Sequence, residues 1–399
     1  MISRTYVLCL TCAKPITARI QVGHEIEQPM TFPCPHCGTD IGLTLILDEP
    51  PRVKIRWDNN CKEGSEEGKI INLGVGFTIS KDRLHQDMYF PSFDQPKPRI
   101  SITRSPGQVG PEFRDIFVDL GGLPRASDYW KIIQKALRFH RTGQNSLRDA
   151  QLDSFWGTAR TDDHNLDEAV FQFFTRMLAP RTQALLDQVA EELKNAHSQN
   201  SVEFFRLAED YDRDLKTDRF QGYSDILAEY FRGYTEFNQT LVYLRSDLPL
   251  PPDAVATSSA FETSKMFYGN AFELLGSHLD VPAAINNIVA GRPYDQMKAM
   301  DLKQFRSINK ANRTNCLSGN AAMSSFVAEY DSAVRNASHH RWFKLDDSRE
   351  HILYRSGGTG ALHKMSYAEY LYRCNKLVFQ IMLLACFELL LLQFSRKSL

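Results

Sequence analysis

Cys9-Leu10-Thr11-Cys12 and Cys34-Pro35-His36-Cys37 decide how this chain begins to fold. Two residues between cysteines let a tight turn aim both sulfurs at one ion, and two such knuckles complete a tetrahedral site. Pro35 sits inside the second pair and Gly38 follows its last cysteine, where a positive φ is often required. Between the pairs, residues 17–22 alternate polar and apolar, and residues 41–47 read as a strand. Short strands flanking knuckles make a ribbon. The spacing therefore predicts a zinc ribbon over residues 1–50, with one zinc ion per chain held by Cys9, Cys12, Cys34 and Cys37. Four cysteine ligands leave no open coordination position, so the ion is expected to be structural. The competing reading is a pair of disulfides in a secreted module. It is disfavoured because Met1 to Val7 lacks the apolar run of a secretory signal. Cys61, Cys316, Cys374 and Cys386 stand singly, without ligand spacing.

Outward from the ribbon, the chain of 399 residues exceeds the roughly 100–200 of one domain, so two or three domains are expected. A hydrophobic fraction of 43% with 24% charged residues belongs to a folded protein and excludes a disordered one. The formal net charge of -1 offers no general basic excess, so any nucleic-acid surface must be a local patch. The N-terminal sequence argues for a cytoplasmic protein. Residues 377–394 (LVFQIMLLACFELLLLQF) are nearly apolar and are followed by Arg396 and Lys397, which raises a membrane tail anchor. Gln380 and Glu388 inside that run are costly in lipid. It is read as a core or dimer-interface helix, with no membrane partner expected.

Glu49-Pro50-Pro51 breaks the chain after the ribbon. Strand-like runs at 53–57, 70–79 and 100–103, punctuated by Pro91, Pro96 and Pro98, predict a small β-rich region over 51–122. The pattern then turns helical at 128–141, 165–177, 180–197 and 222–244, giving a helical domain over 123–248. In its first helix Lys131, Lys135 and Arg138 share one side. Such a stripe can hold phosphates, or it can be a solvated face. Leu248-Pro249-Leu250-Pro251-Pro252 reads as a linker and a domain boundary, before a last domain over 253–399. Ser259-Ala260-Phe261-Glu262 is a capping box opening a helix to about Leu275.

Residues 325–337 read as one helix with Phe326, Val327, Tyr330 and Val334 on its buried side, ending in Arg335-Asn336-Ala337-Ser338-His339-His340. A strand-like His351-Ile352-Leu353-Tyr354-Arg355, a glycine turn Gly357-Gly358-Thr359-Gly360, a second run to Met365 and a long helix from near Tyr367 follow.

This C-terminal stretch resembles the HEPN superfamily, the higher eukaryotes and prokaryotes nucleotide-binding domains. The hallmark is an arginine, often followed by a polar residue, with a histidine four to six residues further on at a helix end. Arg335 and His340 match it with Asn336 in the polar position. The hairpin and the final helix also look like the family. The resemblance thus covers about a third of the chain, from near residue 258 onward, and leaves the ribbon and middle outside.

What the resemblance implies is an all-α bundle that pairs as a homodimer, joining two copies of the motif in one cleft, and metal-independent endoribonuclease activity in toxin or antiviral roles. The residue types suit that chemistry. An imidazole (His340) moves protons at the 2′-hydroxyl and the leaving oxygen, a guanidinium (Arg335) balances phosphorane charge, and Asn336 orients. Five helical residues turn a side chain about 140° away. Arg335 and His340 therefore share a cleft only where the helix ends between them or a second copy supplies one. His339, nearer the face of Arg335, is the alternative partner. Arg160-Thr161-Asp162-Asp163-His164 imitates the motif with one residue fewer and is taken as chance. No Walker loop, GxSxG or HExxH is present.

The sequence thus predicts a multidomain, mainly α protein with a small zinc ribbon and β-rich region, central helices and a C-terminal HEPN-like bundle. It is read as a ribonuclease acting on RNA, with the ribbon as a sensing or substrate-holding module and a phage-derived or protein trigger. A non-catalytic HEPN adaptor is the alternative, and a tail-anchored sensor the third.

Overall fold

The computed structural model describes residues 1–23, 25–48, 52–94, 126–157, 165–258, 261–339, 342–355 and 360–397. The expected strand at 100–103, the motif imitation at 160–164, Ser259 of the capping box, most of the glycine turn and His340 lie outside these residues. The protein is mainly helical, with small sheets concentrated at its N-terminal side and one long C-terminal helix. Its chain divides into two compact units built from separated segments. The first takes Met1–Arg125, Arg232–Tyr268 and Ala333–Asn375; the second takes Ala126–Phe231, Gly269–Ser332 and Lys376–Leu399.

In the first unit the strands are β1 (Ile2–Cys9), β2 (Pro15–Gln21), β3 (Glu27–Pro33), β4 (Asp40–Leu47), β5 (Val53–Asn59), β6 (Cys61–Glu63), β7 (Lys69–Gly74), β8 (Ile79–Ser80), β9 (Ala254–Val255), β10 (Lys344–Leu345), β11 (His351–Arg355) and β12 (Leu362–Ser366). One sheet runs β6-β1-β2-β7, a second β3-β4-β5, a third β10-β11-β12, and β8 pairs with β9. Successive side chains on a strand point to opposite faces. Val7, Ile16, Ala18, Ile20, Ile41, Leu43 and Leu45 meet in one buried core beside the cysteines. That core includes Ile71 and Leu73, and β1 pairs with β6 while β2 runs parallel to β7. Residues 1–50 and the start of the expected 51–122 region therefore share one sheet and one interior. The proline run at 249–252 lies inside the middle segment of this unit, where Tyr372 donates its hydroxyl hydrogen to the Leu248 carbonyl (3.0 Å).

The second unit is helical. Helices Ala126–Arg141, Leu166–Leu178 and Thr182–Gln199 fall on the expected stretches 128–141, 165–177 and 180–197, while Asn145–Trp156 and Ser201–Asp210 were not expected. Asn165 and Asn200 cap two of them by accepting from Glu168 and Glu203 amides. Trp130, Phe173 and Phe231 pack together with ring centroids 5.7–6.0 Å apart. Trp130 and Phe173 are buried, each contributing about 1.5–3 kcal/mol through apolar burial, and Phe231 is half-buried. A π-helical turn, Tyr211–Leu215, separates Ser201–Asp210 from Lys216–Arg232.

Three helices expected to be continuous are broken. The stretch to about Leu275 divides at Lys265 and Met266 into Phe261–Ser264 and Phe267–Ser277. The 222–244 stretch divides at Gly233 into Lys216–Arg232 and Tyr234–Arg245. The 325–337 stretch is a 3-10 turn, Ser325–Val327, and a separate helix, Ser332–Ser338. Here the buried side chain of Gln380 replaces main-chain partners. It accepts from the Glu329 amide (3.0 Å) and donates to the Phe326 carbonyl (2.5 Å).

Candidate functional site

The four cysteines of the two knuckles converge. Cys9 Sγ lies 3.9 Å from Cys37 Sγ and Cys12 Sγ lies 3.8 Å from Cys34 Sγ, with all four sulfurs within 4.8 Å of one another. Thiolates about 2.3 Å from a central ion form a tetrahedron with edges of about 3.8 Å, whereas a disulfide requires about 2.05 Å. The set therefore fits a metal site.

Each knuckle closes on itself: the Ala13 amide donates to the Cys9 carbonyl and the Gly38 amide to the Cys34 carbonyl, both at 2.9 Å. Gly38 takes φ +76 as its position required, and Ala13 holds the equivalent place at φ +53. Asn60, which the sequence reading passed over, braces the first knuckle. Its carbonyl accepts from the Leu10 amide (3.1 Å), its Oδ1 from Thr11 (2.8 Å), and its Nδ2 donates to the Asp40 carbonyl (3.2 Å). An asparagine in a tight link between strands tolerates the left-handed φ found here, +51, and that was the available signal. The Lys69 ammonium donates to the Pro35 carbonyl (3.0 Å), fixing the second knuckle to β7.

Burial pushes the Cys34 thiol up to about 12 and that of Cys12 upward. The Thr39 hydroxyl and amide hold Cys37 down to about 6. A divalent cation at their centre would hold all four as thiolates. Cys61 is not part of the set. It is buried and donates to the Gly42 carbonyl (3.1 Å).

The helix carrying Arg335 and Asn336 ends at Ser338, and His339 is exposed in the turn that follows. Val334 and Ala337 anchor its inner side. The Arg335 guanidinium donates to Asn336 Oδ1 (2.7 Å), and Ser338 Oγ donates to the Arg335 carbonyl (2.9 Å). The helix thus stops between the arginine and the histidines, the condition under which both can face one cleft. In the second unit Lys131, Lys135 and Arg138 are all exposed on one face of their helix, opposite buried Trp130, Ile133 and Leu137. Lys131 pairs with Asp128 at 3.1 Å.

A buried charge cluster in the second unit had no signal in the sequence beyond Glu388 as an oddity in an apolar run. Glu388 is fully buried, accepting from the hydroxyls of Tyr211 (2.9 Å) and Tyr223 (2.8 Å) and from Arg219 (2.5 Å). Arg219 also donates to buried Asp280, whose second oxygen accepts from Arg306 (2.6 Å). Burial holds the Glu388 carboxyl above its usual range despite Arg219. Burial acts the same way on Asp280, but Arg219 and Arg306 outweigh it and hold that carboxyl low. Burial, with Arg219 nearby, brings His278 down to about 3. A cavity of about 320 Å³ opens at the π turn, lined by Asp210, Tyr211, Arg213, Tyr294, Lys303 and Arg306. Arg213 pairs with both Asp210 and Asp214, so much of its charge is satisfied internally.

Compared with known proteins, the chain matches no family model, no curated protein and no solved structure.

Proposed function

We propose that the protein is a metal-independent endoribonuclease of HEPN type, in which two copies pair through their C-terminal regions, and that Cys9, Cys12, Cys34 and Cys37 hold one structural zinc ion. The observation that carries the nuclease reading is the helix end between Arg335 and the histidines, with Asn336 holding the guanidinium. In the reaction, His340 or its neighbour His339 takes the proton of an RNA 2′-hydroxyl, which attacks the adjacent phosphorus. Arg335 balances the charge of the phosphorane. The 5′ oxygen leaves with a proton from the partner copy's histidine, and a 2′,3′-cyclic phosphate remains. The ribbon serves as the sensing or RNA-holding module of a cytoplasmic antiphage or toxin effector.

The zinc is carried by the sulfur tetrahedron. Elemental analysis should find one zinc per chain, and Cys34→Ser should lose it; iron or no metal would contradict this. The nuclease reading is tested with total RNA, the full chain and EDTA, with zinc content followed in parallel. Wild type should cleave, and Arg335→Ala and His340→Ala should each lose at least about 100-fold in rate. Cleavage undiminished in both variants rules the reading out. A second reading, a non-catalytic adaptor, draws on the Arg335–Asn336 hydrogen bond as a purely structural contact. It predicts the same dimer in wild type and variants, with no cleavage by either.

A further inference from the structure

The three-stranded sheet of β10, β11 and β12 has two unlike faces. On one, Ile352 is fully buried and Tyr354 packs against Phe343, ring centroids 6.1 Å apart. On the other, the register Lys344↔Leu353↔Lys364 sets two lysines in one row across the sheet, and Arg355↔Leu362 forms the next row. Lys344, Leu362 and Lys364 are exposed. Beside that second row stands Trp342, half of its surface open at 50%, with the Arg355 guanidinium 5.6 Å from its ring centroid. Asp346 pairs with Lys364 of the first row at 3.8 Å and lies within hydrogen-bond reach of His351 (3.2 Å).

In a molecule of net charge -1, three cations beside a half-open indole make a local cationic, aromatic patch, in which Lys364 faces Asp346 and Arg355 also donates to the Gly360 carbonyl (2.7 Å). Cations track phosphates, and an aromatic face accepts any base, so the complementary partner is a single strand whose bases are free to stack. A duplex, whose bases are already stacked, cannot use Trp342. Trp342 follows Ser338 by four residues, so their backbones are no more than about 14 Å apart. A strand on this face would pass within a few nucleotides of Arg335.

We infer that the outward face of the sheet of β10, β11 and β12 is a platform for single-stranded RNA, with Trp342 stacking a base and Lys344, Arg355 and Lys364 neutralising phosphates. The identity of the strand as RNA rests on the nuclease reading; the platform itself rests on the residues just named.

The test measures binding of a fluorescent 2′-O-methyl single strand, which cannot be cleaved through its 2′ oxygen, to the full chain by anisotropy over a salt series. Trp342→Ala should weaken binding about tenfold and Trp342→Phe should restore most of it. Lys344→Gln and Lys364→Gln should each flatten the salt slope by about 0.7. Circular dichroism checks that each variant keeps its fold. The platform is overturned if wild type does not bind, if Trp342→Ala binds like wild type, or if a duplex competes as well as a single strand. Cleavage of ordinary RNA in EDTA is scored separately. Trp342-dependent binding without cleavage leaves the platform standing and removes the nuclease, while cleavage with affinity indifferent to Trp342 does the reverse.

Discussion

Arg219 donates to two buried carboxylates, Glu388 and Asp280. A buried ion pair gains little over a well-packed apolar pair, but removing one partner leaves charge uncompensated. Arg219→Leu should therefore cost about 3–5 kcal/mol in urea unfolding, and a loss below about 1 kcal/mol would contradict the cluster as described. His278 titrates in the opposite sense from a paired histidine. Its folded value, about 3, lies below the ordinary 6.5, so below pH 6.5 the unfolded chain binds a proton that the folded chain refuses. Stability should fall as pH drops from 6.5 toward 3, by up to about 1.4 kcal/mol per pH unit, and His278→Phe should remove that part of the slope. At the metal knuckles Gly38 and Ala13 both hold positive φ, but only Ala13 carries a Cβ there. Gly38→Ala should cost about 1 kcal/mol, whereas Ala13→Gly should cost nothing, because relief of strain offsets the added chain entropy. Equal losses in thermal unfolding would contradict that account.

Among the elements, Tyr367–Lys397 is long and apolar enough to cross a membrane, yet 83% of its most apolar window is buried within the protein. Its polar residues explain the choice: Glu388 is neutralised by Arg219, and Gln380 binds the backbone at Phe326 and Glu329. On fractionation the full chain should stay with the soluble proteins; its recovery in the membrane pellet would revive the tail anchor. Local patterns were readable because their physics is local. Two-residue cysteine spacing fixed the knuckles, apolar spacing at three and four fixed Ala126–Arg141 and Leu166–Leu178, and the residues of β11 announced a strand. Breaks imposed from a distance were not readable. Backbone groups at the interruption between Val327 and Ser332 are satisfied by Gln380, some fifty residues later in the chain, a partner that nothing within 325–337 reveals. Gly233, by contrast, was a local helix-weakening signal at the division of 222–244.

Over the whole molecule, each compact unit gathers three separated segments, so lengths and linkers were poor guides to its organisation. The proline run at 249–252 lies inside one unit, and the sheet that begins with β1 and β2 extends through β6 and β7. The spacing of the four cysteines is itself chemistry, while Arg219 and Asp280 acquire meaning only from neighbours distant in sequence. The proposal for the molecule as an RNA-cleaving enzyme concentrates in Arg335 and the two histidines after Ser338, and it commits to one route, attack by the 2′-hydroxyl. Mass spectrometry of the RNA fragments formed by the full chain in EDTA reads that route directly. The account predicts 2′,3′-cyclic phosphate and 5′-hydroxyl ends that disappear with Arg335→Ala, whereas 3′-hydroxyl and 5′-phosphate ends, or intact RNA with every strand tried, would contradict it.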